Sequence, residues 1–139
     1  MQLRILNTKE KKGVIGELEQ AYDVTLDAVK KMEVLYGDRE YFAVTRDCLQ
    51  QDLTGLDVNA LGLRLTVQRG VDYEPTIHAI QVFFNDAGKS ISLTKNEAKE
   101  FIGNHDIKTS ALDGKYIVKT AGKAIDLGGV KDNTLRRRR

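Results

Sequence analysis

Residues 114–130, GKYIVKTAGKAIDLGGV, hold the pattern that decides the fold of this 139-residue chain. The segments Lys115 to Thr120 and Ala124 to Val130 are predicted strands, and Ala121-Gly122 between them is predicted to form a tight turn. The second strand contains two glycines, which are typical of bends and close backbone approaches. This hairpin predicts a small β-barrel or half-barrel.

A short helix is predicted before the hairpin and is expected to cross the barrel. Thr94 and Glu97 have the spacing of a capping box, in which each residue hydrogen-bonds the backbone of the other. Ala98, Phe101 and Ile102 are expected on one face, and residues 103–104, Gly-Asn, are expected to end the helix.

The segment before this helix is predicted to be extended. The run from Thr76 to Phe84 is apolar and rich in β-formers, which favours a strand, and a turn is expected at residues 85–88. Pro75 is the only proline, and it biases Glu74 towards an extended backbone. We therefore predict a domain boundary here, with one domain at residues 1–73 and the other at 74–139.

The first 73 residues indicate a small α/β lobe. Asn7 and Glu10 predict the start of a helix with an apolar side formed by Val14, Ile15, Leu18, Ala21 and Tyr22. The other expected elements are a hairpin (Met32 to Tyr36 and Glu40 to Thr45, with Gly37 supplying the positive φ), a helix (Arg46 to Leu53) and an alternating strand (Leu61 to Gln68) whose polar face includes Arg64 and Thr66.

The basic residues are concentrated in the second half of the chain. Residues 1–73 contain 10 Lys and Arg against 12 Asp and Glu, or −2, whereas residues 74–139 contain 12 against 8, or +4. The chain ends in four arginines, Arg136 to Arg139, whose guanidinium groups suit phosphate. This ending fits a polyanionic partner, and it is equally typical of a solvated, frayed terminus.

Catalytic and metal-binding patterns are sparse. His78 and His105 are the only histidines, and His78, in the predicted strand, fits a structural histidine better than a ligand. Cys48 is the only cysteine, so neither an intramolecular disulfide nor a cysteine-rich zinc site can form, and its apolar surroundings favour an inert thiol. We expect no enzyme activity, no metal and no cofactor. Because no secretory or membrane-spanning segment is evident, we expect a cytoplasmic protein with no membrane partner.

Two stretches of the second half resemble a known family. Residues 93–107, LTKNEAKEFIGNHDI, resemble the first helix of a PUA domain and the glycine turn after it. Residues 114–136 are similar to the PUA-like tail of NOL/Sun-type RNA cytosine-5 methyltransferases and to small standalone archaeal relatives. The resemblance covers residues 75–139. Two features depart from the family: Leu135 and the arginines replace a proline-containing basic ending, and the methyltransferase catalytic domain is missing.

The resemblance implies a pseudobarrel that binds structured RNA, usually tRNA or rRNA. Carried over by position, it implies RNA-binding roles for Lys95, Lys99, Gly103, Asn104, Lys115, Lys119, Lys131, Arg136, Arg137, Arg138 and Arg139. Lys115 and Lys119 share one face of their predicted strand and are expected to form a cationic stripe.

We therefore predict an α+β protein in which a small N-terminal α/β lobe precedes a C-terminal PUA-like β-pseudobarrel. Its expected function is non-catalytic RNA binding in RNA modification or ribosome biogenesis. The main alternative is an accessory protein-interaction module, in which the acidic N-terminal lobe docks an RNA-modifying enzyme. A small enzyme with a site shared between the lobes is the remaining alternative, although no nucleophile, base or metal set converges in the sequence.

Overall fold

A computed structural model of the chain describes residues 3–46, 62–70 and 72–138. These residues form a mixed α+β protein with two five-stranded sheets, one of them curled into a half-barrel, and four helices. The helices are α1 (Thr8–Tyr22), α2 (Asp27–Lys30), α3 (Ile77–Phe83) and α4 (Lys95–Ile102). The strands are β1 (Arg4–Ile5), β2 (Glu33–Gly37), β3 (Glu40–Val44), β4 (Leu63–Arg69), β5 (Asp72–Pro75), β6 (Ser90–Leu93), β7 (Ile107–Lys108), β8 (Gly114–Thr120), β9 (Lys123–Lys131) and β10 (Thr134–Arg137).

The first sheet contains β1 to β5 in sequence order, with every neighbouring pair antiparallel. The β2–β3 hairpin confirms the predicted one, but its turn differs in detail. Asp38 and Arg39 carry the positive φ values, 49° and 64°, and Gly37 does not. Two consecutive left-handed residues match the right-handed twist of the flanking strands, so the prediction for Gly37 was wrong.

The second sheet has the order β6-β8-β9-β10-β7. The β8–β9 hairpin confirms the prediction from residues 114–130, and β6 lies parallel to β8. On its other edge β9 pairs with β10, which the sequence did not predict. Gly128 permits this close packing, because a Cβ there would lie 2.6 Å from Leu135 Cδ1 and 2.9 Å from Val118 Cγ2.

Both predicted capping boxes are present. The side chain of Asn7 accepts a hydrogen bond from the Glu10 backbone at the start of α1, and Thr94 accepts one from Glu97 at the start of α4. On α4, Phe101 is buried as expected, but Ile102 is 43% exposed. These caps fix where the helices begin.

The predicted strand from Thr76 to Phe84 was wrong, because residues 77–83 form α3. Thr76 is the N-cap, and its side chain accepts a hydrogen bond from the Ala79 backbone. Ala79, Ile80 and Phe84 are fully buried at helical spacing. Packing of this helix on β4 and β9 overrides the β propensity of the segment.

The largest hydrophobic cluster contains residues from both halves of the chain. Leu18 and Leu65 from the first half share it with Ile80, Ile117 and Leu127 from the second. A second cluster packs α4 against the opposite face of the second sheet, around Phe101, Val118 and Leu135. The predicted domain boundary between residues 73 and 74 falls inside β5 and stays a prediction.

Of two other expectations, one is confirmed in part and the other concerns residues that lie almost entirely outside the described ranges. Strand β4 confirms the predicted strand, but Thr66, expected on its polar face, is fully buried. The predicted helix from Arg46 to Leu53 lies, beyond its first residue, outside the described residues, as does Cys48.

Candidate nucleic-acid interface

A cleft of about 630 Å³ lies where the two sheets meet, and we call it the arginine cleft. Four arginines line it: Arg64 and Arg69 from β4, Arg137 from β10 and Arg138, which follows β10. Two buried carboxylates, Glu74 and Asp126, also line it, as do His78 on α3 and Asn104 after α4. Among the described lining residues, formal positive charges therefore exceed negative ones by two.

Glu74 is the centre of a charged cluster that joins the two sheets. Its side chain is 2% exposed, and Oε2 accepts hydrogen bonds from Lys115 Nζ at 2.5 Å and Arg138 Nη2 at 2.7 Å. Arg69 Nε lies 3.0 Å from Oε1, close enough for an ion pair but without hydrogen-bond geometry. Lys115 also lies 3.6 Å from Asp72. The cluster orients Arg138 at the mouth of the cleft.

The protonation state of Glu74 follows from these partners. Burial by itself raises the pKa of Glu74, but the hydrogen bonds from Lys115 and Arg138 lower it by more. The net pKa therefore lies below the ordinary value of a glutamate, and the side chain is ionised at neutral pH. A buried carboxylate without such partners would instead favour its neutral form.

Asp126 holds the second arginine of the C-terminus in a similar way. Its Oδ2 lies 2.5 Å from Arg137 Nε, and its Oδ1 accepts a hydrogen bond from the Leu127 backbone. Arg137 Nη1 also donates to the carbonyl of Ile102, the last residue of α4. This contact places the predicted residue Asn104 beside the arginines, with a left-handed φ of 67°.

The arginine run is therefore ordered as far as the structure describes it. Arg136 and Arg137 belong to β10, and the Arg138 backbone N–H continues the ladder to Leu127. Arg136 is the most exposed of the three and lies 3.2 Å from Asp106. Arg139 lies outside the described residues.

The lysines that were predicted to bind RNA occupy two different settings. Lys95, Lys99 and Lys131 are exposed, as is Gly103 at the end of α4. Lys115 and Lys119 share one face of β8, as predicted, but this face carries the buried Ile117 and points into the protein. Lys119 Nζ donates to the Ala87 carbonyl at 2.8 Å. Instead of forming a solvent-facing stripe, these two ammonium groups bind acceptors within the protein.

Sequence reasoning missed Arg64 and Arg69, which line the arginine cleft beside three of the predicted residues. The net charge of −2 over residues 1–73 hid them, because most of the acidic residues responsible lie elsewhere in the fold. The available signal was their position on β4. Arg64 lies on the polar face of the predicted strand and Arg69 directly follows that strand. Their side chains are 51% and 41% exposed.

A second cleft of about 670 Å³ lies between α1 and the first sheet, and we call it the tyrosine cleft. Tyr22, Tyr41 and Tyr73 line it together with Thr66. The Tyr41 ring packs against that of Tyr73, with centroids 4.9 Å apart, and the Tyr73 hydroxyl lies 3.3 Å from that of Tyr36. This hydrogen bond, followed by burial, raises the pKa of Tyr73 to about 12, so its hydroxyl stays protonated at neutral pH.

Within residues 3–46, 62–70 and 72–138, no group of three or more His, Cys, Asp or Glu side chains is arranged to hold a metal ion. Over the same residues, no helix has the length and apolar character needed to cross a membrane. A scan against protein-family models and a search among curated proteins each found no match to this chain.

Proposed function

We propose that this protein is a non-catalytic RNA-binding protein, in which a PUA-like C-terminal pseudobarrel recognises structured tRNA or rRNA. The single observation that carries the proposal is the arginine cleft. Its four guanidinium groups come from both sheets, and three of them form ion pairs with buried carboxylates. A cleft of this charge suits the phosphate backbone of a folded RNA.

The way in which the arginines are held supports binding to phosphate. Arg138 uses one terminal nitrogen on Glu74, and a guanidinium group has five N–H donors, so donors remain for a ligand. An arginine whose orientation is already fixed loses little side-chain freedom on binding, which favours affinity. Glu74 and Asp126 therefore act as positioning residues for Arg138 and Arg137.

Some of the residues implied by the PUA resemblance lie in or near this cleft. Asn104, Arg137 and Arg138 line it, and the exposed Lys95 and Lys99 lie on α4, which ends beside Arg137. We assign the arginine cleft to phosphate contacts and α4 to the flanking backbone. Such contacts position an RNA without reading its sequence.

Binding of the full chain to labelled total tRNA and to rRNA fragments, measured by fluorescence anisotropy at low salt, tests the proposal. We expect Arg69→Gln to weaken binding about tenfold, since it removes one phosphate contact of roughly 1–2 kcal/mol. Arg39→Gln is the matched control, because Arg39 lies in the β2–β3 turn outside the cleft.

Two results would contradict the proposal. One is the absence of RNA binding at low salt. The other is binding that Arg69→Gln and Arg39→Gln weaken equally, which would indicate nonspecific attraction. Capture of an RNA-modifying enzyme that survives nuclease treatment, with no RNA affinity of the chain itself, would instead support the alternative of a protein-docking module.

A further inference from the structure

The tyrosine cleft contains a buried polar group without a partner. Thr66 is fully buried, lies directly opposite Tyr41 on the neighbouring strand and lines the cleft. Its hydroxyl has no hydrogen-bond partner within the described part of the chain. An unpaired buried hydroxyl is destabilising, so its presence beside a large cleft points to a ligand that supplies the missing bond.

The walls of the cleft define the shape and polarity of that ligand. One wall consists of the rings of Tyr41 and Tyr73, and the other is the apolar side of α1, including Val14 and Leu18. Aromatic side chains facing an aliphatic surface suit a flat, heteroaromatic group. The Thr66 hydroxyl can donate to or accept from the edge of such a group.

The charges around the tyrosine cleft are balanced, in contrast to those of the arginine cleft. Three cations, Arg4, Lys89 and Lys115, line it together with three anions, Glu10, Glu17 and Asp72. Arg4 is paired with Glu10, and Lys115 with Glu74. Lys89, whose ammonium lies 5.3 Å from the centroid of the Tyr116 ring, forms no ion pair within the described residues and is free to meet one phosphate.

We propose that the tyrosine cleft binds a single unstacked nucleotide, with its base between the tyrosine rings and α1 and its phosphate near Lys89. The base hydrogen-bonds the Thr66 hydroxyl. A cleft of about 670 Å³ is large enough for one nucleotide. This inference rests on the proposed function in one respect only, namely that the nucleotide is part of the bound RNA and its base is turned out of the stack. Binding of a nucleotide in the cleft does not depend on it.

The two clefts are neighbours on either side of strand β5, which makes it possible for one RNA to occupy both. Strand β5 separates them: Asp72 and Tyr73 line the tyrosine cleft, and Glu74 and Pro75 line the arginine cleft. Lys115 reaches Glu74 from one side and Arg138 from the other, and both bind the same oxygen. A backbone held by the arginines can therefore present a neighbouring base to the tyrosines.

Titration of the full chain with AMP, GMP, CMP and UMP, followed by two-dimensional NMR, tests this inference without any RNA. We expect at least one monophosphate to bind and to shift the signals of Tyr41, Tyr73 and Thr66. Thr66→Val is expected to weaken that binding about fivefold, which is the loss of one hydrogen bond. Thr120→Val, at the end of β8 outside the cleft, is the matched control.

Tyr73→Leu provides a second variant, because Tyr73 is partly exposed and its replacement leaves the core in place. It is expected to weaken monophosphate binding at least as much as Thr66→Val. The inference is overturned if no monophosphate binds, or if neither variant changes the binding. It is also overturned if binding responds to Arg69→Gln and not to these variants, a result that places the phosphate in the arginine cleft and leaves the proposed function standing.

Discussion

The two clefts of this molecule are of similar volume but differ in how their charges are balanced. The arginine cleft has four guanidinium groups against two buried carboxylates, whereas the tyrosine cleft has three cations against three anions around a set of aromatic rings. An excess of fixed positive charge suits a repeated phosphate backbone, and a balanced aromatic cleft suits one flat group. Two neighbouring clefts of similar volume are therefore expected to bind different ligands, because their charges and lining side chains differ.

Glu74 stands at the boundary between the clefts, so changing it is expected to have the largest effect on the protein. Glu74→Gln leaves Lys115, Arg138 and Arg69 without their shared anion. We expect the free energy of unfolding to fall by roughly 2–3 kcal/mol, below the usual range for a buried pair because these cations are 31–41% exposed. Denaturant unfolding measures this, with the exposed Asp27→Asn as control; a loss no larger than that of the control would contradict the role of Glu74.

The acid sensitivity of the same group gives a second, smaller effect. The folded-state pKa of Glu74 lies below its unfolded value, so its contribution is complete above the ordinary glutamate pKa of about 4.3 and is lost as pH falls through the folded pKa. The difference in unfolding free energy between the wild type and Glu74→Gln is therefore expected to shrink below about pH 4. A difference that stays constant from pH 7 to pH 3 would show that the ion cluster contributes nothing.

In the tyrosine cleft, replacing Thr66 is expected to change the unfolding free energy in the opposite direction. Since its hydroxyl is buried and unpaired, Thr66→Val is expected to raise the unfolding free energy by about 1 kcal/mol in the absence of ligand. Thermal unfolding by circular dichroism, alongside Thr120→Val, measures the change. A stability loss of that size or more would mean that the hydroxyl has a structural partner, such as a bound water.

The smallest effect is expected at the outer edge of the C-terminal strand. Arg136 and Asp106 form an ion pair in which both side chains are more than half exposed. Such pairs contribute less than about 1 kcal/mol, so Arg136→Gln is expected to change the unfolding free energy by under about 0.5 kcal/mol. A larger loss in denaturant unfolding would show that Arg136 resembles Arg137 and Arg138 in being structural.

The sequence predicted the elements whose signals are local. Both capping boxes, the β2–β3 hairpin and the β8–β9 hairpin depend on residues within a few positions of one another. It predicted residues 77–83 wrongly as a strand, because packing on β4 and β9 decides that segment. The order of the arginine tail was equally hidden, since Glu74, the partner of Arg138, lies 64 residues away in the chain.

The residues of the candidate site also fall into those that the sequence predicted and those that only the fold brings together. Asn104, Arg137 and Arg138 were found by resemblance and lie in the arginine cleft, whereas Arg64 and Arg69 reach it only through the pairing of β3, β4 and β5. The tyrosine cleft was not predicted at all. Its tyrosines come from α1, β3 and β5, and only the folded sheet brings them together.

The salt dependence of RNA binding, measured for the full chain and for the double variant Arg64→Gln, Arg69→Gln, tests directly whether the arginine cleft holds the RNA backbone. Each phosphate contact contributes about −0.9 to the log–log slope on a B-form DNA duplex and about −0.7 on single strands, and we expect a value of this size for RNA. If the RNA backbone lies in the arginine cleft, the double variant binds more weakly and its slope is shallower by about 1.5. An unchanged slope and affinity would contradict this account, because the RNA backbone would then not lie in the arginine cleft.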